Sequence, residues 1–400
     1  MALTFHGGVK IDSKRFYTDS EIKYINGCSA VCIKTDEHAV LKASVGENVF
    51  CGSLLGVSDD TPVYSSIAGV FNGIMELEND FYFVVINDGE EGEVKPFEPE
   101  TKSILDLTRE DIIASARQFG VIDSKSGRPL WQMITEAKNC SRLVVDCTDS
   151  FAHSAIAQRL CVEKTKSLFG GAKVILHAIG ALKTVFAVES SKKSVIELFK
   201  QNITDKLLFA VASLEEKYPC DDNSIMQAIF YKTLTDGKKP TDYHVLIVGA
   251  EAVIALYDAM VSGMPQTHRY ISVCGNNVKK GGNFKVPRGI TYHDLFELCE
   301  VENGQLIIEN SLLSGRAATG SISDKTLSLI SAEKTEKTQT ECISCGKCAL
   351  SCPVSLFPAE ALNGEIKELE KACVSCGACE YICPAGIPLL KIIKGEKTKR

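Results

Sequence analysis

Eight cysteines between residues 342 and 383 hold the densest chemistry in the sequence. They stand as Cys342-x-x-Cys345-x-x-Cys348-x-x-x-Cys352-Pro353, and again as Cys373-x-x-Cys376-x-x-Cys379-x-x-x-Cys383-Pro384. Two such runs match the thiolate ligation of a pair of [4Fe-4S] clusters. Two-residue gaps in a tight turn aim three successive sulfurs at one cubane, while the fourth cannot reach round and ligates the other. The spacing therefore assigns Cys342, Cys345, Cys348 and Cys383 to one cluster, and Cys373, Cys376, Cys379 and Cys352 to the other. Gly346 and Gly377 stand between second and third ligands, where a bare backbone lets amides approach the sulfides. Pro353 and Pro384 end each loop by withholding a hydrogen-bond donor. Zinc favours separate C-x-x-C knuckles. A disulfide framework belongs to small secreted domains, and no signal peptide is expected here. Two linked clusters move single electrons.

No catalytic side chain and no further cofactor-binding residue is assigned. Of the 17 cysteines, the other nine are Cys28, Cys32, Cys51, Cys140, Cys147, Cys161, Cys220, Cys274 and Cys299. They lack a disulfide rhythm and read as small buried hydrophobes in a reducing cytoplasm, as in an anaerobe. Cys274, before Gly275, and the pair Cys28 and Cys32 are the thiols placed to relay electrons. His6, His38, His153, His177, His244, His268 and His293 show no metal-binding spacing. A net charge of −7 offers no general attraction for nucleic acid. The longest apolar stretch, 244–261, is broken by Glu251 and Asp258, so a cytoplasmic protein, peripheral to a membrane at most, is expected.

The elements that position the cysteines read as a multidomain α/β chain. Residues 1–95 form strand-like runs at Val31–Ile33, Ala39–Leu41 and Phe81–Ile86, and Pro62–Val70 reads as a hairpin. Their glycine turns suggest a barrel-sandwich hybrid, without a lysine at a hairpin tip for a swinging arm. A proline linker at 96–105 leads to an α/β layered domain at 106–262. Its predicted strands are Arg142–Asp146, Lys173–His177, Val185–Val188, Leu207–Val211 and His244–Val248, with helices near 151–168 and at Ser191–Lys200. Residues 268–310 read as a β-grasp (SLBB-like) module. A polar, flexible tether at 331–341 enters a helical dicluster ferredoxin domain at 341–390, and a basic tail follows at 391–400.

This order resembles the RnfC family, NADH-oxidising subunits of Rnf ion-pumping complexes, which are related to the complex I flavoprotein. The resemblance rests on Phe5-His6-Gly7-Gly8-Val9, Lys217-Tyr218-Pro219, Gly282-Asn283-Phe284-Lys285-Val286 and the doubled cysteine run. It implies a complex I flavoprotein-like fold for the α/β domain. Where the family has a glycine-rich loop of the form G-I-V-G-x-G-G-A for flavin and nicotinamide phosphates, this chain has Gly120-Val121-Ile122-Asp123-Ser124-Lys125-Ser126-Gly127. Three glycines have become Asp123, Lys125 and Ser126. The family's N-G-A-E-C-E-P segment corresponds to 146–152, aligning Asp149 and Phe151 with its glutamates and Arg159 with a downstream arginine. The glycine-glutamate pair after Lys-Tyr-Pro is replaced around Asp221, Asp222 and Asn223.

With both contact regions eroded, neither FMN nor NADH is expected to bind tightly. The profile resembles a subfamily encoded with D-proline reductase in amino-acid fermentation. The expected function is electron transfer through two [4Fe-4S] clusters from a donor, the Rnf complex or ferredoxin, to a partner such as D-proline reductase. The alternative is a flavin-dependent NADH:acceptor oxidoreductase, the RnfC-type subunit of an ion-translocating complex.

Overall fold

The computed structural model describes the chain apart from residues 1, 12–19, 78–79, 150–153, 232–239, 303–305, 312, 333–337 and 396–400. In the first third, Ala30–Thr35, Asp80–Ile86, Gly69–Leu77 and Asn48–Val49 are antiparallel neighbours. Val40–Leu41, Leu54–Ser58 and Thr61–Tyr64 make a second small sheet. Alternation along Ala30–Thr35 buries Val31 and Ile33 and exposes Lys34.

The α/β part holds four parallel strands in the order Phe209–Leu214, Lys183–Glu189, Arg142–Asp146, Val245–Gly249. Val245–Gly249 is buried throughout, as a strand covered on both faces must be. Leu143, Val145, Phe186 and Val248 pack with Leu168, Ala172 and Ile175 of the helix Thr165–Ile179 and with Val253 of the helix Ala250–Ser262. One expectation fails here: Lys173–His177 lies within Thr165–Ile179 and is not a strand. A short apolar run carries no period of its own, and Leu168, Ala172, Ile175 and Ile179 supply the helical one. The carboxyl ends of the parallel strands put Asp146, Glu189 and Gly249 along one edge.

A mixed five-stranded sheet follows, ordered Ile22–Tyr24, Gly282–Pro287, His268–Gly275, Ser328–Ala332, Leu306–Glu309. The 268–310 module is thus too short as expected from sequence, since strands from 22–24 and 328–332 complete it. Nor does this sheet stand apart from the N-terminal strands. Val31, Phe71 and Phe83 share one core with Ile271, Val286, Leu295 and Leu329. Asp294 also accepts from the Ser29 amide (3.0 Å) and hydroxyl (2.9 Å).

The cysteine region is a set of short helices, Lys347–Ser351, Lys367–Ala372, Ala378–Tyr381 and Leu389–Ile393. It is packed on the body. Gly8 N donates to Ser351 O at 2.9 Å, and Val9, Tyr218 and Ala378 are buried together. Of the expected tether 331–341, Ser331 is in a strand and 333–337 lie outside the described residues. So small a unit as the cysteine region buries too little surface alone and gains from docking. Among the described residues no helix is long and apolar enough to cross a membrane.

Candidate electron-transfer site and the adjoining pocket

The eight cysteines form two adjoining nests. Cys342, Cys345 and Cys348 line one cavity with Cys383, Ala385 and Ile387. Cys352 lies with the other three. Burial pushes the Cys376 thiol up to about 12, with Cys373 and Cys352 pushing the same way, and the same two act on Cys379. Each fourth cysteine therefore sits with the opposite run. Ala385, Ile387 and Leu389 pack in one cluster with Cys379, Cys348 and Cys383.

Sequence reasoning missed two serines here. Ser344 and Ser375 adopt left-handed φ values of 53° and 59°. That turn points their amides at the sulfurs of Cys342 (3.4 Å) and Cys373 (3.3 Å). The signal was present as Cys-x-Ser-Cys-Gly in both runs. Gly346 and Gly377, also left-handed, start the helices Lys347–Ser351 and Ala378–Tyr381. Among the described residues no three His, Cys, Asp or Glu converge on a single metal ion. A four-iron cubane spreads its ligands more widely than one ion does. Four thiolates per nest, with amides turned to sulfur, suit a [4Fe-4S] cluster.

The nests differ in surroundings. Cys376 faces the body, packing with Val9 and Tyr218, and Tyr218 Oη donates to Cys376 O at 2.8 Å. Cys342 and Cys345 are exposed, and the same region carries the exposed side chains of Ile343 (66% exposed), Leu350 (73%) and Phe357 (61%).

Behind the body-facing nest lies the sheet edge that the family resemblance assigns to a flavin phosphate. Asp123 occupies it from one side. Its Oδ1 accepts from Gly249 N, at the start of the helix Ala250–Ser262, at 2.8 Å, and its Oδ2 accepts from Ser126 N at 2.9 Å. Lys125 occupies it from the other side, donating from Nζ to Thr148 O at 2.9 Å. Asp146 and Asp221 carboxylates lie 3.3 and 3.7 Å from the same Nζ. Burial alone would pull Lys125 down, but Asp146, Asp221 and Asp149 together hold it above the ordinary lysine range. Asp149 accepts from Ala157 N at 2.8 Å and Gln158 N at 3.1 Å, capping the helix Ile156–Glu163. Arg159 pairs with Glu163 at 2.6 Å, within its own helix. Phe151 lies outside the described residues.

The remaining cavity beside Lys125 is about 20 Å³, room for roughly one water. A phosphate needs free amides and positive charge at a helix start. Here the amide of Gly249 is taken by a carboxylate, and the lysine is spent on two others. The residues present do not fit FMN at this loop.

Several predicted residues are thus brought together: the eight cysteines in two nests, and Asp123, Lys125, Asp149 and Asp221 at one sheet edge. Cys274 and Cys28 are buried in the shared β core region, away from both nests.

Comparison with known proteins agrees with this architecture. The Nuo51 FMN-binding domain family matches residues 126–258, and the 4Fe-4S dicluster domain family matches 341–387. The C subunit of the proton-translocating ferredoxin:NAD(+) oxidoreductase complex of Clostridium ljungdahlii is 23% identical over 384 residues, covering 90% of this chain and 84% of that one. Its counterpart in the Na(+)-translocating ferredoxin:NAD(+) oxidoreductase complex of Acetobacterium woodii is 22% identical over 333 residues, covering 78% and 75%. The counterpart in the ion-translocating oxidoreductase complex of Buchnera aphidicola is 26% identical over 350 residues, covering 82% and 73%. A solved NAD+-reducing [NiFe]-hydrogenase chain superposes with a TM-score of 0.46 at 12% identity over 58% of this chain, which spans about half (48%) of that one. The chain is RnfC-like, similar through most of its length to the C subunits of ion-translocating oxidoreductase complexes, and joins a complex I 51K-like domain to a 4Fe-4S dicluster domain.

Proposed function

We propose that this chain is an RnfC-type electron-transfer subunit that passes single electrons through two [4Fe-4S] clusters between protein partners. The observation that carries the reading is the pair of adjoining thiolate nests, one against the body and one with its Cys342 and Cys345 thiols exposed. One cluster would be held by Cys342, Cys345, Cys348 and Cys383, the other by Cys373, Cys376, Cys379 and Cys352. The clusters would supply one-electron redox chemistry. The chain's own residues turn amides to the sulfurs and seat the inner nest on Tyr218.

The proposed partners are the other subunits of an ion-translocating ferredoxin:NAD(+) oxidoreductase complex, because the similar proteins carry that name. This corrects the order of the two expectations. D-proline reductase gains no support from the comparisons, and the membrane-complex reading stands ahead of it. The FMN-binding family matches at 126–258, yet Asp123 and Lys125 fill the phosphate position. We take the fold to be kept and that pocket to be closed.

The test is anaerobic reconstitution followed by mixing with NADH, alone and then with membranes holding an ion-translocating ferredoxin:NAD(+) oxidoreductase. About eight irons per chain are expected, with NADH alone leaving the cluster absorbance near 400 nm unchanged and the membranes bleaching it. Direct bleaching by NADH, with a resolved flavin band near 450 nm, would restore the flavoenzyme reading. Bleaching by neither would remove the membrane-complex partner.

A further inference from the structure

A cleft of about 700 Å³ opens where the N-terminal hairpins, the helix Ala250–Ser262 and the mixed sheet meet. It shares no lining residue with the cysteine cavity or the Lys125 pocket. Its volume falls in the range of small-molecule sites, and a junction of domains is where such sites gather.

One wall carries hydrogen-bond donors whose protons are not all taken up. His268 stands between two hydroxyls, with Tyr24 Oη 2.8 Å from Nε2 and Thr267 Oγ1 2.9 Å from Nδ1. Burial pushes His268 down to about 3, so at neutral pH the ring carries one N–H. Two hydrogen bonds shared among three protons leave one hydroxyl proton over, for the Cys51 sulfur beside Thr267 or for a ligand. Gln266 is 7% exposed, its Oε1 accepts from Ile122 N at 2.8 Å, and its Nε2 has no partner. Lys285 Nζ lies 4.9 Å from the centre of the Tyr24 ring, and among the described residues no carboxylate comes within 4.0 Å of it. A half-buried cation with no carboxylate in direct contact, and a buried amide without an acceptor, both cost free energy that a ligand would recover.

The lining also includes the opposite sign. Glu90, Glu91 and Glu93 are exposed on one loop, and Asp258, paired with Lys164 at 3.3 Å, borders the cleft from the helix Ala250–Ser262. A dianion such as phosphate would meet four carboxylates. A simple cation would leave Lys285 unmet.

We propose that this cleft binds a small zwitterion of the amino-acid or short-peptide class, with its carboxylate toward Lys285 and its ammonium toward Glu91 and Glu93. Gln266 ties the cleft to the loop 120–127, because its other end holds the Ile122 amide. The proposal does not depend on the electron-transfer reading.

The test uses the reconstituted full chain and titration calorimetry with L-alanine, L-lysine and diglycine. Acetate, ethylammonium and inorganic phosphate serve as single-sign controls. At least one zwitterion should bind tenfold or more tightly than every control, and should slow hydrogen exchange at Ile122. Lys285→Gln and Glu93→Gln should each weaken that binding severalfold or more, with cluster absorbance unchanged. Two variants are used so that misfolding of either one does not decide the matter. Equal binding of zwitterions and controls, tightest binding of phosphate, or full affinity in a folded Lys285→Gln protein would overturn the proposal.

Discussion

Cys383 belongs by sequence to the second run but lines the cavity of the first. Reconstituted Cys383→Ser should therefore lose or convert the cluster of Cys342, Cys345 and Cys348, as Cys345→Ser does. Electron paramagnetic resonance of the singly reduced variants reads this out. A Cys383→Ser spectrum differing from that of Cys345→Ser and matching that of Cys376→Ser would refute the crossed assignment. Lys125 poses a different question, because its side chain is only 9% exposed and sits between Asp146 and Asp221. Removing one partner of a buried pair strands the other charge, at a cost of about 3–5 kcal/mol. Lys125→Met should lower the urea midpoint accordingly, and Lys125→Met with Asp146→Asn should recover part of the loss. No change in the single variant would show that the ion pairs carry little of the fold.

Among elements, the amino-terminal segment does more than its short strand contacts suggest. Leu3 bridges to Leu214 at the edge of the parallel sheet, and Val9 bridges to Tyr218. Lys217 lies over the Phe5 ring, Nζ 4.4 Å from its centroid. The two motifs Phe5–Val9 and Lys217–Pro219 thus meet each other, and together they seat the inner cysteine nest. Gly7 (φ 64°) makes the closest approach, where an added Cβ would stand 2.5 Å from Cys352 O. That contact is with backbone, so no side chain can swing aside. Gly7→Ala should loosen the cysteine region from the body, seen as faster protease cleavage near 338–341 with the parallel sheet unaffected. Unchanged cleavage would place the docking strength elsewhere.

At the scale of the whole molecule, stability depends on what the fold does to buried titratable groups. His268 has its pKa pushed to about 3 by burial, against an ordinary value of 6.5. The unfolded chain therefore takes up a proton below 6.5 that the folded chain refuses. The stabilisation is complete above pH 6.5 and is lost as pH falls toward 3. The loss is at most about 1.4 kcal/mol per pH unit, less where His268 keeps some solvent contact. Between pH 7.5 and 5.5, wild type should lose about 1 kcal/mol more than His268→Asn in urea unfolding. Equal losses would mean that His268 titrates normally in the folded state. The same packing decides the electrical asymmetry of the molecule, with one nest pressed on the body and the other left open.

The sequence by itself determined the cysteine chemistry, because cluster ligation is written in local spacing that survives any fold around it. The strands expected at Arg142–Asp146 and His244–Val248 were legible as short apolar runs and are found at Arg142–Asp146 and Val245–Gly249. The helix over Thr165–Ile179 was hidden, since a window as short as Lys173–His177 fits either period. Only the tertiary structure joined Ile22–Tyr24 and Ser328–Ala332 to one sheet, because pairs as distant in the chain as Ile22 with Asn283 and Ser272 with Ser328 share no local signal. It also decided the fate of Lys125. Spacing placed a lysine where a phosphate loop has glycine, but whether that lysine seeks an anion or already has one depends on Asp221. That residue comes from 96 positions away in the chain, brought to 3.7 Å by the parallel sheet.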